Sequence, residues 1–200
     1  MSENTKTRED FLTEAAVLIE EEILSPQGVS LPEKWKIGVG FPSSSTAIGQ
    51  AWSAEACEDK ETMHVIISPE LGNHDKVNLL QVLLHELIHI AVGIDQKHGG
   101  EFKRVARAVG LEGRLTATYV SPNTELHDKL LEIYSKVGYD YPHVVLQKTV
   151  KEKKERVSNF IKLVSVSNPE YELKIKRDFV EEHGFPQDYN GEEMVEKEDE

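Results

Sequence analysis

Cysteine is nearly absent from this chain of 200 residues, where Cys57 stands alone. One thiol cannot close a disulfide framework or build a cysteine-bound zinc module within a single chain, so any metal site must rest on histidine and carboxylate. Long apolar runs are missing too, and the N-terminus is polar and charged. Neither a secretory leader nor a membrane anchor is expected, and the expected setting is cytoplasmic. Positive charge is scarce: 23 Lys and Arg against 36 Asp and Glu leave a net charge of −13. That balance opposes general affinity for nucleic acid unless basic side chains are concentrated locally. What is present, 38% hydrophobic residues, suffices for one domain with a real core and a smaller appendage.

The stretch around which the chain is organised is His85-Glu86-Leu87-Ile88-His89, followed by His98-Gly99-Gly100-Glu101-Phe102. Apolar residues Val77, Leu80, Leu83, Leu84, Leu87, Ile88 and Ala91 recur at three- and four-residue steps, so Val77 to Val92 reads as a helix. Asn73 or Asp75 can cap it, and Gly93 can end it. On a helix, His85 and His89 share one face, their rings can meet at one metal ion, and Glu86 stands beside the open coordination position.

Before this helix, Thr7 to Leu24 carries an apolar stripe (Phe11, Leu12, Ala15, Leu18, Ile19, Ile23) and reads as an amphipathic helix. Trp35, Ile37 and Val39 alternate as a strand would. Ala47–Ala56 and Thr62–Ser68 read as two more strands forming an antiparallel hairpin across the charged turn 58–61. His64 reads as a strand-surface residue and His74 as a capping residue. After Gly93 come a basic amphipathic helix from about Glu101 to Val109, a short extended segment Leu115–Val120, and a helix from Asn123 to Lys136. Basic residues collect twice, at Lys97, Lys103, Arg104, Arg107 and Arg114 and again from Lys148 to Lys162. The second run reads as a charged linker.

A catalytic zinc needs three protein ligands and one position for water. His85 and His89 supply two, and Asp95, His98 and Glu101 compete to be the third. Asp95 falls where the metzincin spacing puts a ligand, but Val92 replaces the required glycine, and Met1, Met63 and Met194 leave no nearby Met-turn. His98, after a loop long enough to fold back and next to Gly99-Gly100, is the strongest of the three. Asp95 then reads as an acceptor orienting a ligand imidazole. The same residues on an apolar helix could instead be satisfied core side chains, an alternative that a third histidine in register weakens. Tyr119, Tyr141 and His143 are candidate donors to a tetrahedral intermediate, with a structural role the simpler reading.

These motifs resemble the SprT-like metallopeptidases, the group that includes the Spartan proteases acting on DNA-protein crosslinks. The likeness rests on His85 to His89, on Gly93 and Asp95, and on His98-Gly99-Gly100-Glu101-Phe102. It extends over about Lys34 to His143, and Gly49-Gln50-Ala51-Trp52 and Leu115-Thr116-Ala117-Thr118 look similar to phage and bacterial members. The resemblance implies that His85, His89 and His98 hold one Zn2+ and that Glu86 activates water for hydrolysis of a protein or peptide substrate. It also implies a zinc ribbon at the C-terminus, here degenerate, with Ser165, Asn168, Asp188 and Asn190 standing where cysteines are expected.

The fold expected is α+β and zincin-like, with a small antiparallel sheet packed on the metal-binding helix and a small β-rich C-terminal appendage. The expected division is a metallopeptidase domain (1–147), a charged linker (148–162), the ribbon-like segment (163–195) and an acidic disordered tail (196–200). The function expected is zinc-dependent endopeptidase, with DNA-associated proteins as candidate substrates. The alternative is a non-catalytic, metal-stabilised adaptor that binds nucleic acid or a transcription complex, with Lys103, Arg104 and Arg107 as the DNA contacts.

Overall fold

The computed structural model describes residues 6–73, 75–147 and 159–197. Two compact units divide the chain, Met1–Thr149 and Val150–Glu200. The charged run from Lys148 to Arg156, His74, and residues 198–200 of the expected tail lie outside the described residues.

Helix α1 (Arg8–Ile19) starts on a reciprocal cap, in which Asp10 N–H donates to Thr7 Oγ1 at 3.1 Å and Thr7 N–H donates to Asp10 Oδ2 at 2.8 Å. Its stripe of Phe11, Leu12, Ala15, Ala16 and Ile19 is fully buried. Helical structure continues to Leu24 as expected, but from Glu20 it widens into a π turn and then a 3-10 turn, Ser25–Gln27. Pro26 has no N–H with which to extend the α pattern, and Glu20 Oε1 instead accepts from Leu31 N–H at 2.6 Å.

Three strands follow: β1 (Trp35–Val39), β2 (Gly49–Trp52) and β3 (Met63–Ile67), in the order β1-β3-β2. The expected antiparallel pairing of β2 with β3 is present, from Gly49↔Ile67 to Trp52↔His64. The sheet as a whole is mixed rather than antiparallel, because β1 joins β3 in parallel, Trp35↔Met63 to Val39↔Ile67. Alternation in β1 specified which side chains face the core and carried no information on strand direction. The segment between β1 and β3 supplies the crossover, and it leaves β2 as an edge strand.

Helix α2 (Lys76–Val92) is capped by Asp75, whose Oδ1 accepts from Asn78 N–H at 3.1 Å. It packs on β2 and β3 and against α1. Leu79, Leu80, Leu83, Leu84, Leu87 and Ile88 on it are wholly buried. At roughly 1.5–3 kcal/mol each as an upper bound, these contacts outweigh the roughly 1–3 kcal/mol that burying one polar group without a hydrogen bond costs, and the Glu86 carboxyl keeps a hydrogen bond from Ala51. Packing therefore lets the helix carry a polar stripe into the interior.

Beyond α2 come α3 (Gly100–Ala108), the hairpin of β4 (Glu112–Arg114) with β5 (Ala117–Tyr119), and α4 (Glu125–Val137), which packs on α1 and α2. Strand β4 was not foreseen: Glu112-Gly113-Arg114 has no apolar alternation, and it is a strand only through its pairing with β5.

In the second unit, β6 (Phe160–Val164) pairs antiparallel with both β7 (Glu172–Lys176) and β8 (Val195–Glu196), and α5 (Arg177–His183) follows β7. Strand β6 thus begins at Phe160, inside the span expected as linker. Ile161, Leu163, Val180 and Met194 form a small core. The four positions compared with ribbon cysteines gather here on hydrogen bonds. Ser165 Oγ donates to Asp188 Oδ2 at 2.5 Å, and Asn168 N–H donates to Ser165 Oγ at 3.1 Å. Asn190 N–H reaches Asp188 Oδ1 at 2.8 Å, and its side-chain amide reaches Ser167 Oγ at 3.1 Å. Ser165 and Asp188 are buried, and this corner is tied by protein hydrogen bonds.

Candidate metal centre

One turn of α2 separates His85 from His89, and their rings emerge on the same side. His98 returns to them through a 3-10 turn, Ile94–Gln96. Gly99 makes that turn possible, since a Cβ there would sit 2.7 Å from the Gln96 carbonyl oxygen that its own N–H bonds. Gly100 faces open space. Gly99 thus tightens the turn, and Gly100 has no such role.

Nε2 of His98 lies 3.3 Å from Nε2 of His89 and 3.3 Å from Nε2 of His85. All three histidines offer a nitrogen within 4.8 Å of the others. A ring nitrogen has one proton or one lone pair, so the Nε2 of His98 can make a hydrogen bond with only one of the two. Three nitrogens bound tetrahedrally to zinc at about 2.0–2.1 Å stand about 3.3–3.4 Å apart. The spacing therefore fits a shared cation and does not fit a hydrogen-bonded cluster. The group could hold a metal ion.

Burial drives all three rings toward the neutral form, which presents lone pairs. His85 is lowered to about 3 and His89 to about 4 by burial and then by their histidine neighbours, and His98 is lowered by burial. Phe102, wholly buried, braces them: its ring stacks on His89 at 4.3 Å and lies 5.0 Å from His85 and 4.9 Å from His98.

Glu86 is 7% exposed. Burial pushes its carboxyl up to about 8, opposed by a hydrogen bond from the Ala51 N–H of β2. It reaches β2 because residue 49 is glycine: a Cβ there would lie 2.6 Å from Glu86 Oε1. Of the competing third ligands, Asp95 turns back toward Gly93, and Glu101 accepts a fork from Arg104, with Nη2 to Oε1 at 2.7 Å. Neither belongs to the histidine group. The sequence names Gly49 and Thr118 only within stretches of family likeness and gives neither a role; in the structure Thr118 Oγ1 lies 2.9 Å from His85 Nδ1. No spacing rule ties either residue to the motif.

Two adjoining cavities of about 360 and 390 Å³ share His85 and Glu86 in their lining. Ala47 to Ala51 form one wall of the resulting cleft, and Thr116 to Thr118 form the other. Tyr119, Tyr141 and His143 do not line it. Tyr141 is buried against Phe11, with ring centroids 4.8 Å apart, and His143 sits on the Arg8 guanidinium and the Leu71 carbonyl. Among the residues expected at DNA, Lys103 is exposed, Arg104 is held by Glu101, and Arg107 donates to the carbonyls of Leu111 and Gly113. Among the described residues, no helix is long and apolar enough to cross a membrane.

The profile of the SprT-like family matches residues 31–125, a span that begins before β1 and includes all three histidines and Glu86. No curated protein and no solved structure matches the chain.

Proposed function

Starting from the SprT-like domain at residues 31–125, we propose that this chain is a zinc-dependent endopeptidase acting in the cleft between β2 and β5. The observation that carries this reading is the Nε2 of His98 standing 3.3 Å from both other rings, a spacing suited to a common ion. His85, His89 and His98 would hold it, and a set of three imidazoles suits zinc. When bound, zinc supplies a Lewis acid and a water acidic enough to lose its proton near neutral pH. The Glu86 carboxylate takes that proton and later gives it to the leaving amine. As an edge strand, β2 can align an extended peptide along the cleft through its backbone. Protein purified without chelator is expected to hold one zinc per chain, and His98→Ala to lose most of it. Equal zinc in the two proteins would remove His98 from the ligand set.

A second reading concerns nucleic acid, and the sheet of the C-terminal unit favours it over α3, where two of three cations are already engaged. Lys162 stands opposite Lys174 in register, and Phe160 opposite Lys176. Lys197 N–H bonds the Lys162 carbonyl, but its Nζ is paired with Glu172, so the row rests on Lys162, Lys174 and Lys176. Like charges directly opposite destabilise a sheet, and an anionic partner relieves that cost. Phe160, 46% exposed with Lys174 Nζ 5.7 Å from its ring centre, offers a base-stacking surface. The partner proposed is single-stranded nucleic acid, which would bring protein substrates bound to it near the peptidase. Affinity for a single-stranded oligonucleotide is expected to fall steeply with salt and to drop tenfold or more in the double variant Lys162→Glu, Lys174→Glu. Absence of binding at low salt disposes of this reading.

A further inference from the structure

His85 differs from the other two histidines in what touches the far side of its ring. Its Nε2 faces the cluster, while its Nδ1 lies 2.9 Å from the hydroxyl of Thr118 in β5. A neutral imidazole carries one proton, on one nitrogen or the other, and only the nitrogen without it can bind a cation. With the proton on Nδ1 and donated to Thr118 Oγ1, the Nε2 lone pair is directed into the cluster. With the proton on Nε2, the site loses a donor.

Thr118 is itself firmly held. It pairs with Gly113 across the β4–β5 hairpin, and Gly113 is the residue whose carbonyl accepts from Arg107 of α3. The second Arg107 bond, Nη1 to the Leu111 carbonyl at 2.5 Å, fixes the start of the hairpin. Helix α3 also carries Phe102, which braces the cluster from the other side. Thus one helix sets both the stacking wall and the strand that bears the hydroxyl. A β-branched side chain on a strand has few χ1 choices, so little freedom is lost when the hydroxyl meets the ring.

We propose that Thr118 is a positioning residue: its hydroxyl accepts the Nδ1 proton of His85 and so holds that ring in the tautomer and orientation that present Nε2 to a metal ion. Asp95 had been expected to orient a ligand ring, and the contact instead comes from a strand twenty residues beyond the third histidine. This inference rests on the three-histidine reading of the site. Partners of this kind typically change metal affinity by about 10–100-fold.

The test compares wild type with Thr118→Val, which keeps the shape and suits a strand, with Thr118→Ser, which keeps the hydroxyl, and with His98→Ala. Zinc affinity is read by chelator competition, and the His85 tautomer by 15N shifts of the ring nitrogens in metal-free protein. Thr118→Val is expected to weaken zinc binding by about 10–100-fold and to lose the uniform Nδ1–H tautomer, with Thr118→Ser restoring both. If His98→Ala weakens zinc binding while Thr118→Val matches wild type in affinity and tautomer, the positioning role is wrong and the ligand set stands. Should His98→Ala bind zinc as wild type does, the ligand set is wrong and the inference falls with it.

Discussion

Glu86→Gln is expected to lower peptide hydrolysis by about 10²–10⁴-fold while the protein folds and holds zinc as wild type does. Glutamine matches glutamate in shape and keeps an oxygen to accept from the Ala51 N–H. What it cannot do is take a proton from water. The side chain is almost fully enclosed and, without a cation, burial pushes its carboxyl up to about 8. A divalent ion held by the three histidines would add positive charge and so favour the carboxylate that base catalysis requires. Turnover of an unfolded protein substrate, measured beside zinc content, separates this role from a ligand role. Full activity in Glu86→Gln would exclude Glu86 as the base, and loss of zinc along with activity would make it part of the metal's support.

The second large effect is expected at a residue with no chemistry of its own. In Gly49→Ala the new Cβ would stand 2.6 Å from Glu86 Oε1, 2.8 Å from Glu86 Cγ and 2.8 Å from Val82 Cγ1. All three contacts are too short to persist. Gly49 is paired with Ile67 in the sheet, so the strand cannot simply back away, and the Glu86 side chain or the gap between β2 and α2 must give. Displacing a catalytic group by about 1 Å can cost about 10²-fold in rate, and overpacking of this kind typically costs about 1–3 kcal/mol of stability. Gly49→Ala is therefore expected to lose about 10²-fold in activity while retaining zinc and melting several degrees lower. Gly40→Ala is the control. A Cβ there meets only Ile66 Cγ2, at an ordinary 3.6 Å, and wild-type activity is expected. Wild-type activity in Gly49→Ala as well would mean that the observed placement of Glu86 is not the catalytic one.

Helical periodicity put His85 and His89 on one face of α2 and set Glu86 between them, because a helix fixes the relation of residues four apart whatever surrounds it. Capping chemistry placed the end of that helix at Gly93 and its start at Asn73 or Asp75, of which the structure uses Asp75. The parallel pairing of β1 with β3 was not legible, since alternation specifies a buried face and is silent about direction. Strand β4, with its run of Glu112-Gly113-Arg114, had no apolar pattern to announce it.

The composition and one helical motif by themselves determined the chemical vocabulary of this protein: histidine and carboxylate in place of cysteine, two imidazoles one turn apart, and a glutamate beside them. Only the tertiary structure decided which distant groups complete that motif. It brought His98 to the pair, turned Asp95 and Glu101 away, set Gly49 against Glu86, and laid the Thr118 hydroxyl on His85. The reason is physical. Relations within a helix follow from local backbone geometry, whereas contacts across a turn, a sheet edge and a hairpin exist only once the buried faces of α2, α3 and the sheet have packed together.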